Sequence, residues 1–207
     1  MPRPARNPDL HGNVPDEAPT ALLLIDVIND LEFPGGAELL GQALRMADRL
    51  AALKAAAAAL GIPAIYVNDN FGRWRSDFRA LVDRCLEQGV RGRPIVERLR
   101  PGEDDYFVLK PKHSGFYSTT LDLLLDYLGA ATLIITGLTA DNCVLFTASD
   151  AYMRDFDILV PADCVAAIAP EHSERALQHM ARVLKADIRP SGEIDLATLA
   201  TARARAA

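Results

Sequence analysis

The run ALLLID, from Ala21 to Asp26, is apolar without interruption up to its closing carboxylate. A strand with apolar side chains on both faces must be covered on both faces, as happens to a central parallel strand held between two layers of helix. The next segment fits that demand. Leu39, Ala43, Met46, Leu50, Leu53, Ala57 and Leu60 recur at steps of four and three, while Arg45, Asp48 and Arg49 fall off that stripe. This is the pattern of an amphipathic helix, ended by Gly61.

Strand and helix then alternate. PAIYVN (Pro63 to Asn68) reads as a strand, a shorter helix fits between Asp77 and Glu87, and RGRPIVERLRPGEDD reads as a loop. Further strands are predicted at YFVLK (Tyr106 to Lys110), ATLIIT (Ala131 to Thr136, breaking at Gly137), FDILV (Phe156 to Val160) and ADI (Ala186 to Ile188). Helices are predicted over Leu121 to Leu128 with Gly129 as the stop, from Cys143 to about Arg154, and from Pro170 to Leu184. Such alternation predicts an α/β fold of three layers, α/β/α, around a central, mainly parallel six-stranded sheet of Rossmann-like type. Residues 20–190 would form the domain, 1–19 an extended N-terminal tail, and 191–207 a C-terminal tail whose Ala/Arg-rich part, Ala197 to Ala207, is expected to be helical or frayed.

A chain of 207 residues is long enough to bury roughly 70% of its unfolded surface without a metal or a disulfide. The formal charge of −6 argues against partners such as nucleic acid or an anionic membrane and for small-molecule chemistry. The three cysteines, Cys85, Cys143 and Cys164, are widely spaced, which indicates neither a disulfide framework nor a zinc knuckle. With a polar, proline-rich start and no apolar stretch of spanning length, the expected location is the cytoplasm.

In open parallel sheets ligands bind beyond the carboxyl ends of the strands. Asp26, Lys110 and Cys143 each fall at or just past the end of a different predicted strand. An aspartate can take the thiol proton, a lysine can steady both anions, and a helix N-terminus beside the cysteine is expected to favour thiolate. Singly, each has a structural alternative: a buried apolar thiol, a loop anchor, a solvated strand end. Their joint placement favours chemistry.

These residues lie in three segments that resemble one family. LLLIDVINDLEF is similar to an apolar strand ending in D-x-Q-N-D-F, LKPKHSGFYSTTL to K-P-x-x-S-A-F-x-x-T-x-L, and GLTADNCVLFTASDAY to G-x-x-x-D-x-C-V-x-x-T-A-x-D-A. The chain thereby resembles the isochorismatase-like cysteine hydrolases, which include nicotinamidases, N-carbamoylsarcosine amidase and ureidoacrylate amidohydrolase. The resemblance implies the isochorismatase-like hydrolase fold and hydrolysis of a small amide, carbamoyl or ureido substrate through a thioester. It assigns Asp26 as base in both half-reactions, Lys110 as organising cation and Cys143 as nucleophile. It also implies a cis peptide between Leu138 and Thr139, an oxyanion hole from the N–H groups of Thr139 and Cys143, and a homodimer or homotetramer.

The chain departs from the family pattern in two places. Ile28 replaces the glutamine after the first aspartate, which predicts a more apolar pocket wall, and Leu31 replaces the phenylalanine. Where nicotinamidases hold a metal through Asp-x-His, Asp69 survives but Phe71 takes the histidine's place. His172 and His179 lie seven residues apart on one predicted helix, about 10 Å by helical rise, too far to share an ion. His113 and His11 read as surface residues, so neither a catalytic metal nor another cofactor is expected. Phe33, Phe71, Trp74 and Phe116 are candidates for the substrate pocket, with Arg73 and Arg75 for a substrate carboxylate. The competing readings are an isochorismatase-type vinyl ether hydrolase, a non-catalytic metabolite-binding relative, and a phospho-receiver domain. The position of the lysine and the Cys143 turn both count against the last.

Overall fold

A computed structural model describes residues 17–70 and 77–202. Five strands, β1 (Thr20–Ile25), β2 (Ala64–Asp69), β3 (Tyr106–Lys110), β4 (Thr132–Leu138) and β5 (Asp157–Leu159), form a parallel sheet in the order β3-β2-β1-β4-β5. The short β6 (Val165–Ala166) pairs parallel to β4 beyond the point where β5 leaves it. Chain order reverses between β1 and β4, so the ends of these two strands flank the switch point.

Burial follows the alternation of β1. Leu23 and Ile25 point into a core covered by α4 (Leu121–Leu128), α5 (Leu145–Tyr152) and α6 (Pro170–Val183). Leu22 and Leu24 point into a second core, under α1 (Gly36–Ala59), α2 (Phe78–Cys85), α3 (Arg93–Arg98) and α7 (Leu196–Ala200). All six β1 residues are buried. Leu39, Ala43, Met46, Leu50, Leu53 and Ala57 are the buried stripe of α1, whereas Leu60 follows the helix and is exposed. Among the described residues no helix is long and apolar enough to cross a membrane.

Several sequence expectations are corrected. The segment around Pro94 is not all loop, because α3 buries Ile95 and Val96 in a run too short to display a helical period. Ala186 to Ile188 forms only a bridge, Leu159 to Asp187, since the Asp187 side chain then accepts the Arg189 N–H and Pro190 offers no donor. The sixth strand is β6 instead. In the segment after 190 the helical alternative holds over Leu196–Ala200, where Leu196 is buried and the Leu199 carbonyl accepts a hydrogen bond from Thr20 Oγ1 at 2.9 Å.

β4 runs through Gly137 rather than breaking there. Gly137 has φ of 107° and pairs with Ile25 on one side and Val165 on the other. A Cβ on it would lie 2.1 Å from the Ile25 carbonyl oxygen. Only glycine accepts both the positive φ and that approach, which brings the end of β4 against the end of β1. Gly137→Ala is expected to cost about 3 kcal/mol in urea unfolding; a change below about 0.5 kcal/mol would contradict this packing.

Candidate active site

Each strand end contributes one group. Asp26 follows β1 with a positive φ of 50°, and its N–H still donates to Val67 O at 3.0 Å. Its carboxylate turns along the sheet edge, where Oδ1 accepts the Asp69 N–H at 2.7 Å. Lys110 closes β3, in register with Asp69. Its fully buried side chain crosses in front of β2 to place Nζ 2.8 Å from Asp26 Oδ2 and 3.9 Å from Asp69 Oδ2.

Cys143 lies on the far side of the switch point. After β4 the Leu138–Thr139 peptide is cis, Thr139 is extended, and residues Ala140–Val144 make one wide turn closed by Val144 N–H to Thr139 O at 3.2 Å. α5 starts only at Leu145, so the cysteine sits in a π-type turn before the regular helix. Such turns widen the backbone locally and re-aim side chains. Thr147 Oγ1 donates to Cys143 O at 2.7 Å and fixes the turn to α5. Lys110 Nζ reaches Cys143 Sγ at 3.5 Å. The ammonium therefore stands between the carboxylate and the sulfur.

Electrostatics differ from the sequence expectation of a helix-stabilised thiolate. Burial pushes the Cys143 thiol up to about 12, and the Asp26 carboxylate adds to the rise while Lys110 opposes it. Burial likewise raises Asp26 above the ordinary carboxylate value, against the pull of Lys110. For Lys110 burial disfavours the ammonium, yet the charge of Asp26, with help from Cys143 and Asp69, outweighs it and the shift is upward. Burial thus favours the neutral thiol and strengthens the basicity of Asp26, while the charge of Asp26 favours the Lys110 ammonium.

The other sequence candidates divide. Phe116 is core: it packs against Phe156, which leads into the amino end of β5, and under the Arg154 guanidinium, away from the carboxyl edge. Phe33 stands partly exposed in the loop entering α1. Phe71, Arg73, Trp74 and Arg75 lie outside the described residues. Ile28 is fully buried in the core under α1, so it forms no pocket wall. Cys85 and Cys164 are buried free thiols. His172 Nδ1 pairs with Asp141 at 3.4 Å. Asp69, the acidic remnant of the metal motif, neighbours the Lys110 ammonium, a poor setting for a cation. Among the described residues no three His, Cys, Asp or Glu side chains are grouped to hold a metal ion.

His113 is at the surface, as expected, but sequence reasoning missed that it stands over the site, with Nδ1 3.8 Å from Cys143 Sγ. Its position three residues after Lys110 was the available signal, but the folding back of that loop is visible only in three dimensions.

A family model described as the Isochorismatase domain matches residues 20–188. The chain belongs to the isochorismatase family. It is 40% identical over 178 residues to the isochorismatase family protein YaaI of Bacillus subtilis, covering 86% of this chain and 97% of that one. It is 30% identical over 187 residues to the ureidoacrylate amidohydrolase RutB of Methylobacterium radiotolerans, covering 78% and 72% respectively. The N-carbamoylsarcosine amidase structure from Thermoplasma acidophilum superposes with a TM-score of 0.60 at 31% identity, covering 85% of this chain and 98% of that one. With the thiol raised to about 12, the thiolate ultraviolet band that distinguishes the protein from Cys143→Ala should be absent at neutral pH and grow only under strongly alkaline conditions. A full band at neutral pH would overturn the neutral-thiol assignment.

Proposed function

We propose that this isochorismatase family member is a cysteine-dependent hydrolase of a small amide, carbamoyl or ureido compound, with Cys143 as nucleophile, Asp26 as base and Lys110 as the cation that organises both. The observation that carries the reading is the placement of Lys110 Nζ 2.8 Å from Asp26 Oδ2 and 3.5 Å from Cys143 Sγ at a nearly closed sheet edge. The names of the relatives, an ureidoacrylate amidohydrolase and an N-carbamoylsarcosine amidase, support C–N bond hydrolysis. A vinyl ether hydrolase would have no use for the thiol.

Because the thiol is neutral at rest, its proton leaves as the sulfur attacks. Asp26, whose basicity burial has strengthened, accepts that proton while the S–C bond forms. The carbonyl oxygen becomes an oxyanion held by the backbone N–H groups of Thr139 and Cys143, donors whose loss from such a hole costs about 10²-fold to 10³-fold in rate. The C–N bond then breaks, Asp26 returns the proton to the departing ammonia or amine, and an acyl group stays on Sγ. Water cleaves the thioester and restores the thiol. Lys110 keeps the site near electroneutrality whether the negative charge resides on Asp26 or on sulfur. Phe33, with the segment bearing Phe71, Trp74 and Arg75, is assigned to substrate binding.

Ammonia release from a panel of small amides, carbamoyl compounds and ureido acids should identify at least one substrate. Cys143→Ala should lower its turnover by about 10⁴-fold or more with the unfolding midpoint unchanged within error. Retention of turnover by Cys143→Ala would exclude the thioester route and leave a metabolite-binding relative as the better reading.

A further inference from the structure

The loop after β3 folds back over the thiol. His113 is exposed, holds Nδ1 3.8 Å from Cys143 Sγ, and stacks on the exposed ring of Phe146 in α5, with centroids 5.5 Å apart and planes 26° off parallel. Its position is fixed from both sides. Ser114 Oγ donates to the Asp150 carboxylate, and the Gly115 N–H donates to Thr147 Oγ1 at 3.0 Å. Thr147 Oγ1 in turn donates to the Cys143 carbonyl at 2.7 Å. The same threonine therefore ties the histidine loop to the cysteine turn.

The two candidate bases meet the sulfur from different surroundings. Asp26 is only 6% exposed, with Oδ1 taken by the Asp69 N–H and Oδ2 by Lys110. It is well placed to receive a proton from the thiol it faces. A water molecule arriving to cleave a thioester comes from solvent, where His113 stands. Imidazole is the side chain that exchanges protons most readily near neutral pH.

We propose that His113 is a second catalytic base, which activates the water that cleaves the acyl-Cys143 thioester. The proposal rests on the cysteine hydrolase reading above. Water oxygen bonds to the acyl carbon as one of its protons passes to the imidazole. The tetrahedral adduct then collapses, the C–S bond breaks, and the imidazolium gives its proton to the departing sulfur. Carboxylic acid and neutral thiol result, and the base is regenerated. With Nδ1 3.8 Å from Sγ the imidazole is close enough for the final proton return, while the water reaches the acyl carbon from the solvent side on which His113 is exposed.

p-Nitrophenyl acetate separates the half-reactions, because its leaving group needs no proton, so acylation registers as a burst and deacylation as the steady rate. His113→Phe preserves an aromatic ring on Phe146 without a nitrogen. It should keep the burst amplitude, slow the steady rate by about 10²-fold and accumulate an acetyl adduct on Cys143 by intact and peptide mass. Neutral hydroxylamine, which needs no base, should discharge the adduct equally fast in wild type and variant. An unchanged steady rate in His113→Phe would overturn the proposal. So would equal slowing of burst, steady rate and hydroxylamine discharge, which marks a merely structural role. A burst that survives Cys143→Ala would instead remove the thioester, and with it the reading on which this role depends.

Discussion

The contact on which the rest of this site depends is the buried ion pair between Lys110 and Asp26. Lys110 is fully enclosed and Asp26 nearly so, with Nζ to Oδ2 at 2.8 Å. Taking two such charges out of water costs several kcal/mol per ion, and their attraction offsets that only when geometry is good and the remaining polar atoms are bonded. The sheet supplies that geometry. Parallel register sets Asp69 beside Lys110 and brings the Asp69 N–H onto the second Asp26 oxygen. Gly137 lets β4 close against β1, so that the turn after it delivers Cys143 to the same ammonium.

The low polarity that makes the pair costly also sets its chemistry. A thiol in this enclosure beside a carboxylate stays protonated, and a carboxylate there becomes a stronger base. The thiol has the Asp26 carboxylate as a hydrogen-bond partner, and Lys110 lies beside both. In the proposed reaction Cys143 is therefore held as a neutral thiol and ionises only as it attacks, in contrast to enzymes that keep a thiolate beside a helix N-terminus or an imidazolium. The exposed His113 meets the same sulfur from the water side.

Much of this was legible in the sequence. The apolar closure of ALLLID, the α1 stripe and the stop at Gly129 follow from periodicity and backbone sterics, which local sequence carries directly. Asp26, Lys110 and Cys143 were legible because parallel strands bring their carboxyl ends to one edge. What escaped depends on contacts distant in sequence. β6 has two residues and exists because the end of β4 lacks a neighbour once β5 leaves. Phe116 lies in the core because the Ser114 and Gly115 bonds aim the loop inward. The raised thiol is set by burial, which outweighs the expected helix end because the turn at Ala140–Val144 precedes the regular helix.

The central claim is that Lys110 and Asp26 act as one unit whose members have no independent place in the fold. A double-mutant cycle on unfolding free energy, with Asp26→Asn, Lys110→Met and the combined variant, tests it most directly. Each single change should be strongly destabilising, because it strands a buried group, and the double variant should recover a large part of the loss, giving a coupling of about 2 kcal/mol or more. Losses that add within about 0.5 kcal/mol would contradict the account.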